Sequence, residues 1–279
     1  FLRVNIRSLI RDLMNPYIIS GLIIVLFVVF LALFSELIAP YDPTRSAGPP
    51  LAPPSWSHIM GTDNLGYDVW SRIVYGSRTI LMVVSLSLLI SSSVGIVLGL
   101  ISGYTGGLID RILSFTMDAI YAFPSLILAI ALAVALGPGP LNAAIAIAVV
   151  YIPSYFRMIR GQVLSIKNEA FIEIAKVLGI PVHRILLRHI LPHLTPTIMV
   201  VFSMNSADAV LTEASLSFLG LSVQPPTPDW GYDLYKGRDF ILSGYWWLIF
   251  FPGLMITLLA LGMAMISEGV SDLYERRRS

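Results

Sequence analysis

Cysteine is absent from the chain, which excludes disulfides, thiolate metal sites and a cysteine nucleophile. Charge is scarce too: Asp, Glu, Lys and Arg make up 13% of 279 residues, where a soluble domain carries roughly 25%. That is too little polarity to cover a chain of this length in water. The net charge of +1 offers no general attraction for nucleic acid. No Gly-Lys dipeptide occurs, so there is no Walker-type phosphate loop. An HExxH metal motif is also missing. The four histidines, His58, His183, His189 and His193, all fall outside the apolar runs, so none can serve an intramembrane Ser/His hydrolase. The sequence contains no recognisable catalytic, cofactor or metal site.

What is present is apolar: 56% of the residues are hydrophobic, and mean hydropathy is +0.79. A spanning helix needs about 20 predominantly apolar residues. The runs at 17–39, 80–102, 114–136, 141–158, 194–212 and 245–266 meet that need. The expected fold is an all-α integral membrane protein, one domain over residues 1–279 with six transmembrane helices. Arg3, Arg7 and Arg11 precede the first run, as in a signal peptide. The run is too long for one and lacks a small-residue cleavage site, so a retained anchor is expected.

Six spans put both termini on one side. Assigning the termini to the cytoplasm places 13 of the 18 basic residues there: Arg3, Arg7, Arg11, Arg111, Arg157, Arg160, Lys167, Lys176, Arg184, Arg188 and Arg276 to Arg278. The positive-inside bias therefore favours cytoplasmic termini in a cell-membrane protein. Two long outer segments follow, 40–78 and 213–244. In the first, Val69, Trp70, Ile73 and Val74 recur at helical spacing behind Asp68, a plausible cap, and suggest a short amphipathic helix at the outer interface. The outer segments read either as a structural lid or as a docking surface.

Within the spans, Ser91, Gly95, Gly99 and Gly103 recur every four residues and should let another helix pack closely. Pro124 and Pro153 should kink spans three and four. Four ionisable residues lie at membrane depth: Asp118, Asp208, Glu213 and Glu268. Each needs a partner, water or a proton. Asp118 and Glu268 can reach an interface. Glu213 should begin the outer loop, and Asp208 is the candidate for a translocation path. No relay of carboxylates and histidines crosses the bilayer.

The charged island 159–193 is far longer than a turn between neighbouring helices requires. From about Asn168 to Leu178, helical projection groups Ala170, Phe171, Ile174, Val177 and Leu178 on one face, and Glu169, Glu173 and Lys176 on the other. Glu173 and Lys176 are spaced to pair. Gly179 stands where a left-handed C′ residue ends a helix, and Pro181 where another begins. The second helix, Pro181–Leu191, opposes Val182, Ile185, Leu186 and Ile190 to Arg184 and Arg188. Pro192 and Pro196 limit its continuation. The expectation is a helical hairpin with its apolar sides on the bundle and its corner in the cytoplasm. A loop that merely covers the bundle is the alternative.

The island's Glu173-Ile174-Ala175, then Gly179 after three residues, then His189-Ile190-Leu191-Pro192 after nine more, resembles the EAA loop of permease subunits of bacterial and archaeal ABC importers. Ile174 and His189 depart from that pattern, which otherwise keeps its Glu, Gly and Leu-Pro. The stretches 39–43, 61–68, 213–220, 224–231 and 237–239 are similar to blocks of the dipeptide/oligopeptide/nickel branch, and within it of the dipeptide permease C type. Tyr67 replaces the Arg usual there.

The resemblance implies a coupling helix that fits a groove on an ATP-binding subunit. Glu173, Ala175, Gly179, Ile180, Pro181 and Arg184 carry that contact. ATP and its magnesium ion would be bound by two partner subunits, so this chain is not itself an enzyme. It also implies a second homologous permease and an external binding protein as partners, besides the bilayer. A peptide is the expected solute, with nickel or an oligosaccharide as alternatives. An ion-coupled secondary transporter using Asp208 is a distant one, because it has no need of a glycine-cornered cytoplasmic hairpin. An intramembrane enzyme lacks its nucleophile and base.

Overall fold

The computed structural model describes residues 15–276. Arg3, Arg7, Arg11, Arg277 and Arg278, which support the orientation argument, lie outside it. Among the described residues the regular secondary structure is helical, apart from one isolated bridge between Thr62 and Asp68. We number the helices α1 (Pro16–Leu33), α2 (Ser35–Ile38), α3 (Val69–Thr105), α4 (Gly107–Tyr121), α5 (Ser125–Leu136), α6 (Pro140–Ile166), α7 (Ala170–Val177), α8 (Val182–Arg184), α9 (Leu191–Phe218), α10 (Trp230–Gly237) and α11 (Trp247–Arg276). Five helical stretches are long and apolar enough to cross a membrane, or six if the bent pair α4–α5 is one span.

The central contact is α3 against α6, with α11 packed on α1 and α9. Gly95, Gly99 and Gly103 form the seam. A Cβ on Gly99 would lie 2.9 Å from the Ile159 Cβ, and one on Gly103 2.8 Å from the Val163 Cβ. Only hydrogen at these positions lets the two backbones come so near.

Three expectations need correction. The expected interfacial helix behind Asp68 is the first three turns of α3, which runs unbroken for 37 residues. At 1.5 Å per residue that is about 55 Å, well beyond a hydrocarbon core of about 30 Å. Asp68 does cap it, its carboxylate accepting from the Ser71 N–H at 2.8 Å.

The second correction is at Pro124, where the expected kink is a full break. Pro124 is extended (φ −55°, ψ 126°) and precedes α5 as its cap residue. The two half-helices are bent by 95° across it. A ring without an N–H ends α4 one turn early, whereas α6 continues through Pro153.

Third, Pro192 does not stop the second helix of the island. α8 runs through a π-helical turn, Ile185–Ile190, into α9, giving one stretch from Val182 to Phe218. Leu191 N–H reaches back to the Leu186 carbonyl. This wider turn removes the clash between the Pro192 ring and the carbonyl four residues back.

Residues 40–68 and 219–246 fold over one end of the bundle as a lid. Trp230 is fully buried, with its indole N–H donating to the Ile73 carbonyl at 2.9 Å. Trp247 donates to the Thr62 carbonyl at 3.2 Å. Arg72 chelates Asp233 (2.6–3.0 Å) and also donates to the Pro43 carbonyl at 2.9 Å. His58 and Asp68 pair at 2.9 Å, but the Ser71 hydroxyl bonds Asp68 rather than the imidazole, so these three do not form a hydrolytic triad. We call the opposite end, which carries α7, the corner side.

Candidate functional site: the glycine corner and a polar cavity at membrane depth

The corner is a hydrogen-bonded turn. Gly179 takes φ +71°. Its N–H donates to the Lys176 carbonyl (3.0 Å), and the Ile180 N–H to the Ala175 carbonyl (3.1 Å). These are the two bonds of a Schellman motif. No atom lies within 4 Å of where a Gly179 Cβ would stand, so glycine is required there for its backbone conformation, not for space. Pro181 (φ −66°) then opens the next helix.

The projection of α7 expected its Ala170, Phe171, Ile174, Val177 and Leu178 face to pack on the bundle, but the residues that pack are Ile172 and Ala175, which it placed on neither face. Ile172 and Ala175 are buried with Ile185, Ile190, Leu194 and, from α3 and α6, Leu100, Ile159 and Val163. Ile174, Val177 (88% exposed), Leu178 (72% exposed) and Val182 stand in the open. Periodicity locates an apolar face but does not say what covers it. Glu173 and Arg184 are exposed beside this crest, and Ile180 is half-buried beneath it. The Glu173–Lys176 pair does not form. Lys176 instead reaches the Lys167 carbonyl at 3.3 Å and lies 5.7 Å from the Tyr104 ring centre. Lys167 in turn donates to the Gly103 carbonyl (2.9 Å), so the corner is tied to the end of α3.

About 26 residues farther along the same continuous helix, Asp208 faces a cavity of about 280 Å³. Asn205, Asp208 and Thr212 share one face of α9. Opposite them stand Tyr151 and Ser154 of α6, with Tyr121 and Phe123 at the α4–α5 break. The hydroxyls of Tyr151 and Thr212 meet at 3.0 Å. Ser154 donates to the Asn205 side-chain amide oxygen (Oδ1) at 3.3 Å. A groove of about 250 Å³, also lined by Ser125, Tyr151 and Asp208, continues toward Ser215.

Two other acids of the spans, Asp118 and Asp110, are matched by arginines. Asp118 pairs with Arg157 at 2.8 Å, and that guanidinium lies 4.0 Å from the Tyr121 ring centre. Asp110 is chelated by Arg160 at 2.5 and 2.8 Å. Glu268 is exposed near the end of α11. Glu213 does not begin a loop. It is buried inside α9, which continues to Phe218, and accepts from Ser222 at 3.0 Å. The absence of any Gly or Pro between Glu213 and Leu219 could have signalled that the helix goes on. Among the described residues, no cluster of three or more His, Asp or Glu side chains could hold a metal.

Residues 95–279 match the family described as the inner membrane component of binding-protein-dependent transport systems. The chain belongs to that family. Residues 11–54 match the N-terminal transmembrane domain of oligopeptide transport permease C. The di/tripeptide transport system permease protein DppC of Pseudomonas aeruginosa is 37% identical over 265 residues, covering 92% of this chain and 87% of the relative. The dipeptide transport system permease protein DppC of Alkalihalophilus pseudofirmus is 41% identical, covering 92% and 85%. The glutathione transport system permease protein GsiD of Pectobacterium atrosepticum is 36% identical, covering 94% and 87%. The chain is thus a multi-pass inner-membrane permease, and its family is one of transport components, not of enzymes.

Proposed function

We propose that this permease carries a di- or oligopeptide across the inner membrane, driven by ATP hydrolysis in partner subunits. Its partners in this reading are a second homologous permease, two ATP-binding subunits that keep ATP and magnesium, and an external binding protein. The names of the relatives support the peptide, since dipeptide, di/tripeptide and glutathione permeases all align along nearly the whole chain. The corner side then faces the cytoplasm, in keeping with Arg157, Arg160, Lys167, Lys176, Arg184 and Arg188 on that end.

The observation that carries this reading is the bare apolar crest around Gly179. Four large aliphatic side chains, Ile174, Val177, Leu178 and Val182, are exposed at one corner. An exposed apolar cluster rimmed by charge marks a docking surface. An ATP-binding subunit is the proposed occupant, with Glu173 and Arg184 as polar contacts at its rim. Ala175 and Ile180 seat the corner on the bundle, while Gly179 and Pro181 shape it. Because α8, the π-turn and α9 are continuous, a push at the corner moves the helix that carries Asp208 in the cavity we assign to the translocation path.

The test is co-purification from membranes of the complete transporter. Val177→Asp with Leu178→Asp should remove the ATP-binding subunits while this chain still inserts. If those subunits stay bound, the docking surface lies elsewhere.

A further inference from the structure

We propose that Asp208 is the counter-ion for the amino-terminal ammonium group of the transported peptide, which makes the cavity beside it a recognition site for a cationic amino terminus. This rests on the permease reading above. The first ground is electrostatic. A carboxylate at membrane depth needs a partner, a water-filled cavity or a proton. Asp118 has Arg157 and Asp110 has Arg160. Among the described residues, no side chain hydrogen-bonds or ion-pairs with the Asp208 carboxylate, although it opens directly onto the cavity.

The second ground is the chemistry of the walls. Most hydroxyl donors near Asp208 are already committed, while the Asn205 amide N–H2 in the same wall has no partner. The hydroxyls of Tyr151 and Thr212 bond each other, Thr212 also donates to the Asp208 carbonyl (2.8 Å), and Ser154 donates to Asn205. No lysine, arginine or histidine lines the cavity or the adjoining groove. Besides that neutral amide, the walls offer negative charge and the faces of Tyr151, Tyr121 and Phe123, beside which a cation is favoured. A solute anion finds no counter-charge there. The nearest cation on α6, Arg157, is held by Asp118 and stacked on Tyr121. An α-ammonium brings three N–H donors and a full charge to the one acceptor that lacks both.

The third ground is size. A volume of about 280 Å³ is near the lower end for small-ligand pockets, about 300 Å³. That suits the end of a peptide rather than a folded chain. Every peptide with a free amino terminus has this group, whatever its side chains. A site that reads it is compatible with a permease whose partners supply the finer selection.

The experiment uses the complete transporter with its binding protein, reconstituted in liposomes. Uptake of alanyl-alanine is compared with that of N-acetyl-alanyl-alanine. The binding protein is the same in every preparation, so changes between variants report the permease. Asp208→Asn should lower uptake of the free dipeptide about tenfold, the scale of one lost charged hydrogen bond. Uptake of the acetylated peptide should change by less than about twofold on the same scale, and Asp208→Glu should restore the preference for the free amine.

Equal loss of both peptides, or no loss of either, would overturn the proposal. So would failure of the second permease to co-purify with Asp208→Asn, which would make Asp208 an assembly residue. An assembled wild-type complex that takes up no peptide at all would instead sink the permease reading itself.

Discussion

Arg72 and Asp233, 161 residues apart, form a two-pronged ion pair at 2.6–3.0 Å that fastens the lid to the first turn of α3. The guanidinium is 3% exposed and the carboxylate 13%. Arg72 also donates to the Pro43 carbonyl and, at 3.2 Å, to the Pro226 carbonyl, so both halves of the lid meet at one side chain. Removing one partner of a buried pair strands the other and costs about 3–5 kcal/mol. Asp233→Asn should therefore lower the melting temperature of the detergent-solubilised transporter markedly. Arg72→Lys should fare nearly as badly, because an ammonium cannot span both carboxylate oxygens and the two carbonyls at once. A Lys variant with wild-type stability would show that charge alone holds the lid.

Glu213 and Asp229, two buried acids under the lid, make stability there depend on pH. Both are fully buried, and each has one carboxyl oxygen with no hydrogen-bond partner. The other Asp229 oxygen accepts from the Ser217 hydroxyl and from the Gly231 and Tyr232 N–H groups, capping α10. Burial pushes the Asp229 carboxyl above its ordinary value of 3.8. An acid whose pKa is higher in the folded than in the unfolded chain favours folding while it is protonated. That contribution is complete below the unfolded value and is lost as pH rises through the raised folded value. Thermal stability should accordingly fall as pH rises above the ordinary carboxylate value of 3.8. In Asp229→Asn, which keeps the cap and offers Glu213 an N–H donor, the decline should flatten. An unchanged slope in melting scans across that range would remove the pair as its cause.

How far the molecule could be read in advance follows from the range of each interaction. The apolar runs, the Asp68 cap and the Gly179 corner were legible because they depend on a few neighbouring residues. Pro192 and Pro124 misled in opposite directions, one absorbed by a π-turn and the other breaking its helix. A proline states which hydrogen bond is lost, not how the backbone adapts. The Arg72–Asp233 and Glu213–Asp229 pairs were invisible, since their partners approach only once the lid has folded. Asp208 stood out in the sequence as the deepest acid and the candidate for a translocation path. The polar wall contributed by Tyr151, Ser154 and Asn205 emerged only with the packing of α6 against α9.

The α3–α6 seam should tolerate no side-chain growth. A Cβ on Gly99 would stand 2.9 Å from the Ile159 Cβ and 3.0 Å from the Phe156 carbonyl oxygen, contacts that neither helix can relieve by a rotamer change. Overpacking of this kind costs about 1–3 kcal/mol. Gly99→Val should reduce the yield of folded permease in the membrane. Gly161→Ala, on α6 but with open space around it, should leave the yield unchanged. Size-exclusion profiles of the two variants compare them directly, and equal profiles would mean the seam is looser than its distances indicate.

At the corner, the strain is in the backbone alone. Gly179 has φ +71° with open space beside it, so a substituent meets no wall but must adopt a left-handed conformation that costs about 1–2 kcal/mol for a residue with a Cβ. A β-branched side chain resists that conformation most, and asparagine tolerates it. Gly179→Val should open the Schellman turn and shift Val177 and Leu178 relative to the cluster around Ala175, while the spans insert normally. Peptide uptake in liposomes should then collapse and no longer track ATP hydrolysis. Gly179→Asn should keep most of both, because it preserves the turn while still adding a side chain. If Val and Asn behaved alike, the surface of the corner, and not its backbone conformation, would govern coupling. Wild-type transport with Val would remove the corner from the coupling path altogether.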